Sequence, residues 1–394
     1  MATSNSKNIA ELLNGDTTIG TTDIADDAIT AAKIANSINT DIGNALPKAG
    51  GTMTGDLTVT NATATGVLSD PSGNVRAGRK NWIINGDFQI SQRGAYSSAT
   101  SITASPVYYL DRFRSKHNNI SGTTVRQTNQ TVNGKVTNTM MLTATAGSNG
   151  RVEAVQIIED EVFNSQTVTV SAWVISNSAS ARLVIHQNGA NIQTSSNAHT
   201  GGGAYELLKA TVTCASNAGQ LHIYTGIQAA ATGNAAIANG DYFKMAFLQL
   251  ELGSVATDFE HLSYAEQLRL CYRYFYKPVY GNGAYARFNF HYEPSAWIGL
   301  EINFPVTMRA NATFSHSLTN AKNKGASPTS SEDKWCYYIQ NTGFRGNAGG
   351  GDISNLSGNG VTHGQCGVAS HSPDAHASHI FIGGGCTFQF DAEL

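Results

Sequence analysis

Between residues 168 and 251 the chain repeats one pattern: short runs rich in Val, Ile, Leu, Thr and Phe, broken by Asn, Gly and Ser. Val168-Thr169-Val170-Ser171-Ala172-Trp173-Val174 alternates strictly. Strand-like runs follow at Leu183–His186, Leu207–Thr213, Gln220–Tyr224 and Tyr242–Glu251. A period of two sends successive side chains to opposite faces, so Val168, Val170, Ala172 and Val174 share one face and Thr169, Ser171 and Trp173 the other. No long helical run separates these strands. Short strands with only one another to pack against predict a β-sandwich or jelly roll.

Composition points the same way. Only 13% of the 394 residues are charged, against an average of about 25%, and Ser, Thr, Asn and 40 glycines stand in their place. Too few Lys, Glu and Arg remain for long solvated helices, and the surface is neutral and rich in amides and hydroxyls. The net charge is −3 and no basic run is interleaved with aromatics, so nucleic-acid binding lacks its electrostatic footprint. No stretch is long and apolar enough to cross a bilayer. Met1–Asn8 has no apolar core of a signal peptide, which predicts synthesis in the cytoplasm. The five cysteines are odd in number and scattered, which predicts reduced, mostly buried thiols rather than a disulfide framework.

Five segments are expected along the chain. Residues 1–45 are polar and small; Ile24, Ala28 and Ile29 sit at roughly helical spacing, and such a segment gains order from other copies or from a docking protein. Residues 46–80 form a glycine-rich neck that includes the turn signal Asp70-Pro71-Ser72-Gly73. Residues 81–262 hold the sandwich, opened by a first strand and bend at Asn81–Gly94. Residues 263–278 hold one connecting helix: Ser263-Tyr264-Ala265-Glu266 is a capping box, and Tyr264, Leu268, Cys271 and Phe275 line one face up to Tyr276. Tyr272, Tyr274 and Tyr276 leave the other faces apolar, which suits contact all round and oligomeric packing. Residues 279–394 form a β-rich tip with glycine-rich loops.

Several phrases carry a family resemblance. Leu46-Pro47-Lys48-Ala49-Gly50-Gly51-Thr52-Met53-Thr54-Gly55-Asp56-Leu57 closely resembles a segment of bacteriophage tail-fibre and tail-collar proteins. Ala28–Ile34 and Phe304–Ala310 are similar to other fibre phrases. Asn85-Gly86-Asp87-Phe88, Tyr109-Leu110-Asp111-Arg112-Phe113 and Gln249–Gly253 resemble elements of carbohydrate-binding jelly-roll modules as found in phage fibres. The resemblance implies a virion tail fibre, homotrimeric, gripped by a tail, nozzle or baseplate protein through residues 1–45. It implies adhesion to host surface polysaccharide.

Sugar recognition uses a flat aromatic face for the ring and amides or carboxylates for its hydroxyls. Trp173, on an otherwise polar strand face, is either such a platform or a residue covered by a loop or subunit. Trp297, Trp335, Tyr337 and Tyr338 are candidates in the tip. No cofactor is expected, save for a structural calcium that the jelly-roll resemblance implies at Asp87 and Glu251. His363-x-x-Cys366 and His376-x-x-His379 have metal-ligand spacing, but unrelated loop histidines explain them as well. Glu159-Asp160-Glu161 is the densest acidic cluster, yet consecutive carboxylates do not flank a scissile bond from two sides. No nucleophile motif is present, so a non-enzyme is expected. The rival readings are a structural spacer of the virion and a polysaccharide depolymerase.

Overall fold

The computed structural model describes residues 79–102, 106–159, 163–278, 290–293, 297–316, 320–321, 334–339, 343–345, 355–357, 361–369, 377–382 and 387–393. The helical reading of residues 22–34, the neck up to residue 78 with its turn at 70–73, His376 and the glycine runs at 347–351 and 383–385 lie outside them. No helix among the described residues is long and apolar enough to cross a membrane.

The described fold is mainly β, a jelly-roll-type sandwich of antiparallel sheets. Its strands are β1 (Thr100–Ile102), β2 (Val107–Leu110), β3 (Phe113–Asn118), β4 (Gly122–Val132), β5 (Lys135–Ala144), β6 (Ser148–Ile158), β7 (Thr167–Ser176), β8 (Ala181–Gln187), β9 (Ile192–Ser195), β10 (Tyr205–Thr213), β11 (Leu221–Ile227), β12 (Ala235–Ile237) and β13 (Tyr242–Leu252). The first sheet runs β1-β4-β5-β13-β7-β10, and the second runs β2-β3-β6-β11-β8-β9 with β12 on β6. The alternation legible in the sequence builds the core between them. Val168, Val170, Ala172 and Val174 of β7 and Phe243, Met245, Leu248 and Leu250 of β13 are buried there with Ala154, Leu183, Ile185 and Ile223 of the second sheet. The thiols of Cys214 and Cys271 are free and buried, as expected.

Strand β13 carries an irregularity that shapes everything outside it. Ala246 pairs with Trp173 and Gln249 with Ser171, so two residues of β13 face one of β7, a β-bulge. Phe247 takes up the extra residue with φ of 55°, a left-handed conformation rare for a bulky side chain. Strand β5 pairs with β13 only over Tyr242–Met245. Beyond the bulge the 81–86 segment takes over: Trp82 N donates to Leu250 O at 2.8 Å, and Leu248 N donates to Gly86 O at 2.9 Å. The first strand expected at Asn81–Gly94 is therefore not regular. It follows a bulged partner, and the ladder breaks at Gly86, where a Cβ would lie 2.1 Å from Leu248 O.

Helix α1 (Tyr264–Tyr272) starts as its capping box predicts: Glu266 N donates to Ser263 Oγ, and the Glu266 carboxylate accepts from Ser263 N. It is shorter than expected. Phe275–Tyr276 leave it to form a strand against Phe388–Asp391, which also pairs with Thr313–His316. The buried face is met in part: Cys271 and Phe275 are buried as the spacing requires, but Gln267 is buried too while Tyr264 is 57% exposed. Gln267 is drawn inward because its Oε1 accepts Asn85 N at 3.0 Å. The tyrosines that suggested subunit packing are contacted within this chain: Tyr274 under Arg112, and Tyr276 beside Phe304 and Phe390. Further strands form two more sheets: Phe290–Glu293, Trp297–Asn303, His363–Ala369 and Asn355–Ser357 in one, Lys334–Ile339 with its neighbours in the other.

Candidate functional site: an aromatic cleft on the outer sheet face

The outward face of the first sheet holds a cleft of about 110 Å³. Its floor is Trp173 on β7, flanked by Leu207, its register partner on β10, and by Ser171 and Gln249. The bulge turns Phe247 onto this face, where its ring lies 5.2 Å from Phe259 and 5.5 Å from His261. Ala246, Phe247 and Val132 are buried there, with Trp173, Tyr205 and Phe259 packed against them. Trp173 is half-buried, neither sealed by a loop nor wholly free. Burial pushes the Tyr205 hydroxyl up to about 12.

One wall is the segment 256–261, held by a buried carboxylate. Glu251 Oε1 accepts Thr257 N at 2.9 Å, and Glu251 Oε2 accepts Thr257 Oγ1 at 2.6 Å. Gln249 donates to Glu251 Oε1 at 2.9 Å and accepts Glu260 N at 2.9 Å. The Glu260 carboxylate accepts Lys80 N at 2.9 Å and Asn81 N at 2.7 Å. Gln249 and Glu251 therefore serve as scaffold, with their polar atoms engaged by protein. The opposite wall is the β4–β5 hairpin. Asn133 and Gly134 have φ of 47° and 74°, as a two-residue Asn-Gly hairpin requires, and they place Asn133 and Lys135 at the rim. Among the described residues, the exposed side chains of Asn133, Lys135 and Asp258 make no hydrogen bond, which leaves them available to a ligand.

This arrangement can stack a flat apolar ring face on Trp173 while rim groups meet hydroxyls. The cavity is well below the roughly 300–1,000 Å³ of an enclosing small-molecule pocket, so a sugar would rest on it with one side exposed.

The sequence candidates scatter. Trp173 alone sits in the cleft. Trp297 pairs with Glu293 and Ala369, whereas Trp335, Tyr337 and Tyr338 belong to a different sheet. His363 and Cys366 lie in the strand His363–Ala369, and His379 lies in Ala377–Ile382 of another sheet. Asp87 is buried; its Oδ2 accepts from Gln89 Nε2, its Oδ1 has no hydrogen bond, and burial raises its pKa. Among the described residues no three His, Cys, Asp or Glu side chains are grouped to hold a metal ion. Glu159 pairs with Arg309 at 3.1 Å, and Asp160 and Glu161 lie outside the described residues. Phe247, Phe259, His261, Lys135 and Leu207 escaped sequence reasoning. One signal was readable: Met245 and Leu248 are apolar three residues apart in a strand of period two, the mark of an inserted residue.

No family model matches the chain, and no curated protein matches it. Among solved structures it is similar to the enzymatically active domain of tailspike protein 4 of bacteriophage CBA120, with 11% identity, a TM-score of 0.30 and coverage of 44% of this chain and 21% of that one. It is also similar to the CBM22-1 xylan-binding domain of Paenibacillus barcinonensis Xyn10C, with 11% identity, a TM-score of 0.25 and coverage of 41% and 99%. The family 11 carbohydrate-binding module of Clostridium thermocellum Lic26A-Cel5E gives 10% identity, a TM-score of 0.26 and coverage of 41% and 99%.

Proposed function

We propose that this chain is a bacteriophage tail-fibre protein that attaches to host cells by binding a surface glycan in the Trp173 cleft. The observation that carries the glycan reading is a half-buried tryptophan on the outer sheet face, set among Leu207, Phe247 and Phe259 and rimmed by unbonded Asn, Lys and Asp side chains. A pyranose presents C–H groups on one face and hydroxyls around its edge, and this surface complements both. Burial of the stacked face contributes through area and aromatic contact, together about 1–2 kcal/mol. Such a site is weak alone. Linked copies raise avidity by powers of ten, which suits a homotrimeric fibre. The spelling of residues 46–57 supports the virion setting, with residues 1–45 as the attachment segment, residues 279–394 as the tip, and no enzymatic step.

The test is binding of the fluorescently labelled full chain to susceptible host cells and to their purified surface polysaccharide. Trp173→Ala should lose about tenfold or more in affinity while the variant remains folded under the binding conditions, as its unfolding transition in urea will show. Equal binding by the variant would remove the cleft from the mechanism. Deletion of residues 1–45 should leave binding intact and abolish incorporation into virions; normal incorporation would sink the attachment role.

A further inference from the structure

We infer that the polysaccharide taken by the Trp173 cleft is acidic, its carboxylates met by Lys135 and Lys209; this rests on the glycan reading above. Lys135 lines the cleft from the hairpin rim. Lys209 lies across it on β10, in register with Ser171 and two residues beyond Leu207, and so on the same sheet face. Both are exposed, and among the described residues neither makes a hydrogen bond or an ion pair. Lys80 stands behind the third side, where its Nζ donates to Asp258 O at 2.7 Å and Thr257 Oγ1 at 2.5 Å.

The acidic side chains nearby are otherwise occupied. Glu251 is buried and accepts from Thr257 and Gln249, and Glu260 accepts from Lys80 N and Asn81 N. Asp258 is the exposed carboxylate left in the lining, placed to accept a sugar hydroxyl. Two unbonded ammonium groups, Lys135 and Lys209, therefore stand against one free carboxylate, with Lys80 behind them, on a chain whose net charge is −3 and in which only 13% of residues are charged. A neutral glycan needs no such bias. Ammonium groups at opposite sides of a stacking floor suit a ligand with an anionic group on successive sugars, as in a polyuronate.

The full chain is applied to an array of polygalacturonate, alginate, hyaluronan and polysialic acid beside dextran, xylan, galactan and laminarin. At least one acidic polymer should be bound more tightly than every neutral one, and raising salt from about 0.05 to about 0.5 M should weaken it about tenfold. The variant K135Q/K209Q should lose about tenfold for that polymer, and K135R/K209R should restore it. Binding confined to neutral polymers, or acidic binding indifferent to both salt and K135Q/K209Q, overturns the inference and leaves the glycan reading standing. Binding to no polymer, acidic or neutral, removes both.

Discussion

Arg112 and Glu393, 281 positions apart, form a buried ion pair that ties the sandwich to the strand Phe388–Asp391 and its neighbours. Arg112 sits at the β2–β3 turn with φ of 71°. Its backbone N donates to Glu393 Oε1 at 3.1 Å, and its Nη1 pairs with Glu393 Oε2. Nη2 donates to Ile157 O at 2.7 Å, and the guanidinium stacks 3.4 Å over the Tyr274 ring. Arg93 reaches the same place, pairing with Asp391 at 2.6 Å and Glu393 at 3.6 Å. Within the phrase Tyr109–Phe113, Arg112 therefore serves as an anchor.

Removing one partner of that pair strands a buried charge. Glu393→Ala should cost about 3–5 kcal/mol in urea unfolding of the full chain. In a double-mutant cycle with Arg112→Met, the double variant should be less destabilised than the sum of the two single changes. Strict additivity would show that the pair is not coupled.

Gly86→Ala tests the crossing over the bulge. The added methyl would overlap Leu248 O, a backbone atom that cannot rotate away, so a loss of about 1–3 kcal/mol is expected. Because the shift reaches Phe247, glycan binding should weaken as well. Stability and binding both at parental levels would contradict the close approach.

Glu251 holds the 256–261 wall. Glu251→Ala leaves Thr257 N and Thr257 Oγ1 short of an acceptor, at a cost of about 1–3 kcal/mol. Hydrogen exchange at Thr257 and Glu260 should quicken relative to the β7 amides, and cleft affinity should fall. Unchanged exchange would mean that the wall is held by other contacts.

Burial pushes the Cys214 thiol up to about 11 and the Cys271 thiol well above its ordinary 9.0. In the unfolded chain both lose their protons near 9, whereas in the folded chain they keep them. The thiols therefore favour folding less as pH climbs from about 9 towards 11, and stability should fall over that window. At pH 8 peptide-resolved alkylation should spare Cys214 and Cys271 until urea is added. Rapid native labelling of either would contradict its burial.

Much of the fold was legible from particular residues. The run Val168–Val174 lies inside Thr167–Ser176, and its faces divide as alternation demands. The capping box set the start of α1, but its end was not readable. Phe275 continues the helical spacing, yet it is taken by Asp391 from far along the chain. Trp173 was found because a tryptophan among Thr and Ser breaks a polar face. Phe247 was missed because strict alternation fails at a bulge, and Phe259 and His261 because they stand in a segment without periodicity.

By itself the sequence determined the class of structure, since periodicity, turn residues and sparse charge are local properties that choose strands and set which side chains face inward. Sparse charge, 13% of the residues, is likewise a property of the sequence alone. Only the tertiary structure decided that a bulge at Phe247, the crossing at Gly86 and the Glu251-anchored wall converge on Trp173. Only it decided that Arg112 meets Glu393. Those contacts depend on register and chain crossing between distant segments, and local spacing carries no record of either.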